Sequence, residues 1–197
     1  VQRCMKPERL IRTFISIPVP IEVRSKKNML YSTLEACPSE INWVKNEQLH
    51  LTIKYLGETT ESLFDKIKSE ISELAATVRP FELTIEKTGC FPKKERPRVL
   101  WLGIDGNITS LNSLFLNIEK KIEVLGFPRS REDYFPHITL ARVKYPQKHT
   151  PDITTFLKSS YDPIDFTVDR VQFLSSELLP SGTFYTLLGS YPLGETI

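Results

Sequence analysis

Leu49-His50-Leu51-Thr52-Ile53-Lys54-Tyr55-Leu56 is the stretch on which the reading of this chain turns. Polar and apolar residues alternate along it, the period of an extended strand with one buried face. Strict alternation sends His50, Thr52 and Lys54 to one side and Leu51, Ile53 and Tyr55 to the other. Far downstream, Pro136-His137-Ile138-Thr139-Leu140-Ala141-Arg142 repeats the words. Of the 3 histidines only His149 stands outside this pattern. Seventeen of the 197 residues are threonine, so finding one two places after both of these histidines by chance is a rare coincidence.

A His and a Thr two residues apart leave a strand on the same face, so imidazole and hydroxyl reach one small anion together. Two such strands facing each other make a four-pronged site. The ordinary histidine pKa lies near neutrality, so one copy can accept a proton from water while the other gives one to a leaving alkoxide. Opposed acid and base suit in-line displacement at phosphorus, with the threonine hydroxyls donating to non-bridging oxygens. Spacing alone does not say which histidine is acid and which is base. A lone His-x-Thr is usually a satisfied structural pair; it is the repetition that argues for chemistry. Zinc is disfavoured, because two histidines lack the usual third and fourth ligands and no carboxylate or cysteine falls at ligand spacing near them.

The surrounding pattern is mixed. Arg12 to Val19 reads as a strand, and Pro20 opens a helix running to about Cys37. Gly57 ends the first histidine strand, Thr60 caps a helix carrying Leu63, Phe64, Ile67, Ile71, Leu74 and Val78, and Phe81–Phe91 with Arg98–Ile104 form a hairpin. A second amphipathic helix spans Ile108 to Leu125 and stops at Gly126. A shorter helix near Ile153 to Ser160 and strands near Ile164 to Leu174 and Thr183 to Gly189 complete the chain. Strand, helix and histidine strand recur twice without a linker, so an internal duplication within one domain, 1–197, is the economical reading. The expected class is α+β with antiparallel sheets. Neither glycine-rich phosphate loop is present.

Composition narrows the setting. A net charge of +2 with 25% charged residues excludes a strongly basic nucleic-acid coat, so an anionic substrate must be drawn by a local patch. The three cysteines, Cys4, Cys37 and Cys90, are sparse and widely spaced, pointing to a reducing, cytoplasmic setting. No signal peptide or membrane-length apolar run is read, and Met5 is a candidate natural start.

On RTFISIPVP (12–20), NWVKNEQLHLTIKYLGE (42–58), GCFPKKERPRVLWLGI (89–104) and FPHITLARV (135–143) the chain resembles the two-histidine phosphoesterase superfamily. Within it, the likeness is to the bacterial and archaeal RNA 2',3'-cyclic phosphodiesterases, also called 2'-5' RNA ligase-like proteins. The resemblance implies a bilobal fold of two antiparallel sheets with outer helices about a pseudo-twofold, the motifs facing across a cleft. It implies opening of a 2',3'-cyclic phosphate on RNA 3' ends or oligonucleotides to a 2'-phosphate, reversible 2'-5' ligation included, by a monomer that uses no metal or nucleotide cofactor. Carried onto this chain, His50 matches the proton donor, His137 the acceptor, Thr52 and Thr139 the phosphate anchors, and Arg142 a phosphate-pairing arginine. In a regular strand Arg142 points away from His137, so a bulge or strand end near Ala141 is required to turn it.

Further candidates are Lys54, on the face of His50, and Phe14 and Tyr134, as platforms for a terminal base. Phe91 and Trp101 belong to the same aromatic class. Lys93, Lys94, Arg96, Arg98, Arg129 and Arg131 make basic loops able to track an RNA backbone. Competing functions are a phosphodiesterase of small cyclic nucleotides or ADP-ribose cyclic phosphate, and a non-catalytic RNA-end binding module.

Overall fold

The computed structural model describes residues 8–194, so Cys4 and Met5 lie outside the described residues. In chain order the elements are β1 (Leu10–Pro18), α1 (Val23–Ser32), β2 (Ile41–Trp43), β3 (His50–Thr60), α2 (Phe64–Thr77), β4 (Phe81–Phe91), β5 (Val99–Gly106), α3 (Ile108–Glu123), β6 (His137–Val143), α4 (Thr154–Lys158), β7 (Ile164–Val168), β8 (Arg170–Leu179) and β9 (Gly182–Pro192). All pairings are antiparallel, and the strands follow one another in the order β7-β4-β5-β6-β3-β1-β8-β9, with β2 added on β6. The α+β, two-lobed expectation holds. The lobes are β6-β5-β4-β7 and β3-β1-β8-β9, and they meet where Leu51 pairs with Ile138, so the two sheets run into one curled surface.

Leu51 and Ile138 are each 0% exposed, and burying such a side chain stabilises by roughly 1.5–3 kcal/mol. They share the apolar side of the sheet with Ile53 and Leu140, against α2 and α3, whose buried stripes are Ile67, Ile71 and Ala75 and Leu111, Leu114, Phe115, Ile118 and Ile122. The hydrophobic face of each motif strand therefore fixes which way its histidine points, since a one-residue slip would exchange the faces.

Several local expectations shift. Gly57 does not end the first histidine strand; its φ of +74° bends β3, which continues to Thr60. Thr60 makes no side-chain cap; a 3-10 turn, Glu61–Leu63, leads into α2 instead. Helix α1 stops at Ser32, well short of Cys37, and Ile164 to Leu174 is broken into β7 and β8 at Asp169. Gly126 does terminate α3, with φ +95° and its N–H on the Glu123 carbonyl, an αL stop that a Cβ would strain.

Candidate functional site

The two motif strands carry the same irregularity. Where β1 steps from Ile15 to Ser16, β3 steps from Lys54 to Thr52, leaving Ile53 as an extra residue. Where β5 steps from Leu100 to Trp101, β6 steps from Ala141 to Thr139, leaving Leu140 extra. Each is a β-bulge immediately after the motif threonine, and a bulge turns the residues beyond it. Ile53 and Lys54 are consecutively buried, as are Leu140 and Ala141, and exposure returns at Tyr55 and Arg142. Arg142 thereby joins the face of His137 and Thr139, by the turn its position requires. Tyr55 is its counterpart on β3.

Antiparallel register around Leu51 and Ile138 sets His50 across from Thr139 and Thr52 across from His137. The two histidines are then diagonal neighbours on one face of the sheet, about 7–8 Å apart at the backbone. Each imidazole is held in the same way, with Nδ1 on the carbonyl two residues earlier: 2.7 Å to Gln48 for His50, 2.9 Å to Phe135 for His137. A carbonyl only accepts, so Nδ1 carries the proton, and in the neutral ring Nε2 is the basic atom. His50 Nε2 lies 2.9 Å from Thr52 Oγ1.

Burial pushes both histidines below the ordinary value. Their carbonyl contacts oppose this, while the Arg142 guanidinium adds to it, and for His50 so does His137. Arg142 thus acts electrostatically on both rings. A pocket of about 130 Å³ is lined by Phe14, His50, Thr52, Thr139, Arg142 and Tyr185, among others; His137 stands beyond its lining, near enough to act electrostatically on the His50 ring. Among the described residues no group of three or more His, Cys, Asp or Glu side chains gathers at metal-binding range.

Three candidates are corrected. Lys54 is swung by the bulge to the apolar side, where it is 5% exposed, its Nζ 2.5 Å from Glu119 Oε1 and 3.0 Å from the Pro128 carbonyl; it cannot reach a ligand in the cleft. Phe14 is 3% exposed, packed 4.9 Å from the His50 ring and 5.0 Å from Tyr185; it forms part of the pocket wall and backs the histidine rather than standing free as a platform for a base. Tyr134 is stacked on Phe115 at 4.4 Å and donates its hydroxyl to the Thr52 carbonyl at 3.0 Å, so it braces β3 rather than facing the cleft. Of the basic loops, Arg129 is held by Glu123 and Arg96 and Arg98 lie over the Tyr145 ring. Phe91 and Trp101 pack beside His137, with ring centroids at 5.1 and 6.4 Å.

Tyr55, Ser176 and Tyr185 line the pocket without having been singled out. Tyr55 was hidden by the assumption of strict alternation, and Ser176 and Tyr185 come from the last hairpin, where no local signal ties them to the histidines. Phe135, 52% exposed and 6.4 Å from the His137 ring, was likewise passed over.

The sequence and structure have well-defined relatives. The model of the 2'-5' RNA ligase superfamily matches residues 34–178. An RNA 2',3'-cyclic phosphodiesterase of Thermotoga maritima is 34% identical over 179 residues, 90% of this chain and 93% of that protein. One from Methanocaldococcus jannaschii is 31% identical over 180 residues, 90% of this chain and 98% of its own. A crystal structure of a Thermus thermophilus protein superposes with a TM-score of 0.76 at 26% identity, covering 93% of this chain and 98% of the other. With motif, fold and kinship in agreement, the chain belongs to the 2'-5' RNA ligase superfamily.

Proposed function

We propose that the chain hydrolyses 2',3'-cyclic phosphates at RNA 3' ends to 2'-phosphates by paired histidine acid–base catalysis, as one domain. The observation that carries this reading is the shared cleft face of the two His-x-Thr pairs, each ring presenting Nε2. Neutral His137 takes a proton from water through Nε2 as the oxygen bonds to phosphorus. The bond from phosphorus to O3' breaks, and protonated His50 gives its Nε2 proton to that oxygen. Thr52 and Thr139 donate to non-bridging oxygens, and Arg142 balances the charge that builds on them. The assignment of acid and base comes from the family likeness, and the names of the relatives support the substrate class. The sequence calls for no cofactor in this scheme, and 2'-5' ligation is the same chemistry with an RNA 5'-hydroxyl in place of water.

The test is a defined oligonucleotide ending in a cyclic phosphate. The expected product carries its phosphate on the 2' oxygen, and His50→Ala and His137→Ala abolish turnover with an unchanged circular dichroism spectrum. Full turnover in both variants removes the paired-histidine mechanism, and no turnover by the wild-type protein leaves the RNA-end binding module.

A further inference from the structure

The two sides of the cleft are furnished differently. Beside His50 the packed aromatic is Phe14, only 3% exposed. Beside His137 an aromatic shelf lies open. Phe135 is 52% exposed, its ring 5.4 Å from Phe91 and 5.2 Å from Trp101, both half-buried. Phe91 in turn is 5.1 Å from the His137 ring. Trp101 lies across β4 where Gly89 has no side chain; a Cβ there would meet the ring at 2.1 Å. The shelf leads into the turn between β4 and β5, since Pro92, Lys93 and Lys94 follow Phe91 directly. That turn sets Lys93, Lys94, Arg96 and Arg98, all exposed, against the single carboxylate of Glu95. Among the described residues none of the four cations enters an ion pair. Open aromatic rings beside unpaired cations suit a single strand of nucleic acid, with bases on the rings and phosphates on the cations. Water, the nucleophile of hydrolysis, uses none of this.

We infer that the shelf and the basic turn dock a second RNA strand, the one whose 5'-hydroxyl attacks the cyclic phosphate in 2'-5' ligation; this rests on the phosphodiesterase reading above. Position argues for that strand. In the scheme above His50 serves the leaving oxygen and His137 the nucleophile, so a group entering opposite the breaking bond comes in over the His137 side. The leading base of the incoming strand stacks on Phe135, and the phosphates behind it reach Lys93 and Lys94. His137 Nε2 takes the proton of the 5'-hydroxyl as its oxygen bonds to phosphorus. The bond from phosphorus to O3' breaks, and His50 gives its Nε2 proton to O3'. Two strands become one, joined by a 2'-5' phosphodiester, and every atom and proton is accounted for.

The partition between joining and hydrolysis isolates this site, because both reactions use the same phosphate, threonines and histidines. An oligonucleotide ending in a 2',3'-cyclic phosphate is incubated with a 5'-hydroxyl tetranucleotide or a 5'-hydroxyl nucleoside, and joined and hydrolysed products are counted. The wild-type protein should join the tetranucleotide at least about tenfold more efficiently than the nucleoside. Phe135→Ala should lower the ratio of joined to hydrolysed product about tenfold, on the scale of one lost base stack. Lys93→Ala with Lys94→Ala, a wholly exposed pair, should lower the same ratio and flatten the log–log salt dependence of joining by about 0.7 per lysine. Hydrolysis by this double variant, measured without the second strand, should be unchanged. The second-strand site alone is overturned by a ratio that neither variant alters, by an equal fall in joining and hydrolysis, or by a wild-type protein that hydrolyses but never joins. Absence of turnover on every cyclic phosphate overturns the phosphodiesterase reading and the site with it.

Discussion

Replacing Glu119 by leucine should cost this protein more than any substitution on its surface, because it strands a charge. Lys54 and Glu119 are each 4% exposed at the side chain and 2.5 Å apart. Glu119 also accepts from the Ser130 N–H at 2.9 Å and the Ser130 hydroxyl at 3.0 Å. Breaking such a buried pair from one side costs about 3–5 kcal/mol, whereas replacing both partners by apolar groups is often neutral or stabilising. At roughly 2–4 °C per kcal/mol for a domain of this size, Glu119→Leu should lower the melting temperature by about 6–20 °C. Lys54→Met combined with Glu119→Leu should recover most of the loss. Lys54→Met alone behaves differently, because a lone buried carboxyl can neutralise itself. In the native protein burial works to raise the Glu119 carboxyl but is outweighed by Lys54 and Ser130, which hold it below the usual range. That stability is present above the unfolded carboxylate pKa and lost as pH falls through the folded one. Without Lys54 burial prevails, the folded pKa lies above the unfolded one, and the penalty of the variant grows as pH rises. Thermal melts from about pH 4 to 8 followed by circular dichroism read all of this. A shift under about 2 °C for Glu119→Leu, or a double variant no better than the single, refutes the reasoning.

Both histidines sit below the ordinary value, so the rate should fall on the alkaline side near or below pH 6.5, where His50 loses its proton, and again in acid as His137 gains one; a kcat/KM profile flat from about pH 5 to 9 contradicts paired imidazoles. The same shifts make native stability full above the unfolded histidine pKa and reduced as pH falls through it towards the folded values, which urea melts at about pH 7.5 and 5.5 would show. Gly89→Ala places a Cβ 2.1 Å from the Trp101 ring, which packs on Phe91 and Phe135 beside His137, so both melting temperature and turnover should drop; unchanged values mean that the ring moves freely. Tyr134→Phe removes the bond to the Thr52 carbonyl and should lower stability by about 1 kcal/mol with KM little changed.

The repeated motif was legible because its signal is local: alternation over a few residues and an identical pair of side chains, which the hydrophobic faces of Leu51 and Ile138 then orient. The bulges were half legible. Arg142 demanded one near Ala141, but nothing in Thr52-Ile53-Lys54-Tyr55 marks the matching one, since neither glycine nor proline interrupts the run. Its consequences followed: Lys54 was placed in the cleft and Tyr55 in the core, the reverse of what the structure shows. Lys54 finds Glu119 across a separation of 65 residues, and no periodicity announces such a partner. Phe14 and Tyr134 were correctly placed near the motifs, yet an aromatic close to a histidine can back it as readily as it can face a ligand. Only packing decides between these.

A symmetric pair of motifs leaves the direction of reaction undetermined. His50 with Thr139 and His137 with Thr52 are equivalent across the junction, both rings are held by the same carbonyl contact, and both are shifted the same way by burial. Direction must then come from where the two motif strands differ. At the residue beyond each bulge one strand carries the guanidinium of Arg142 and the other the phenol of Tyr55. Beside the motif threonines, β1 supplies Ser16 at the position where β5 supplies Trp101. The bulky ring fills its side against Phe91 and Phe135, whereas on the side of the small serine a cavity of about 220 Å³ opens next to His50. A leaving sugar therefore finds space next to His50. That asymmetry, rather than any difference between the histidines, would make His50 the ring nearest the leaving oxygen. Ser16→Trp would copy the filled side onto the open one and should abolish turnover of an oligonucleotide ending in a cyclic phosphate; a variant with the wild-type circular dichroism spectrum and undiminished turnover refutes the asymmetry.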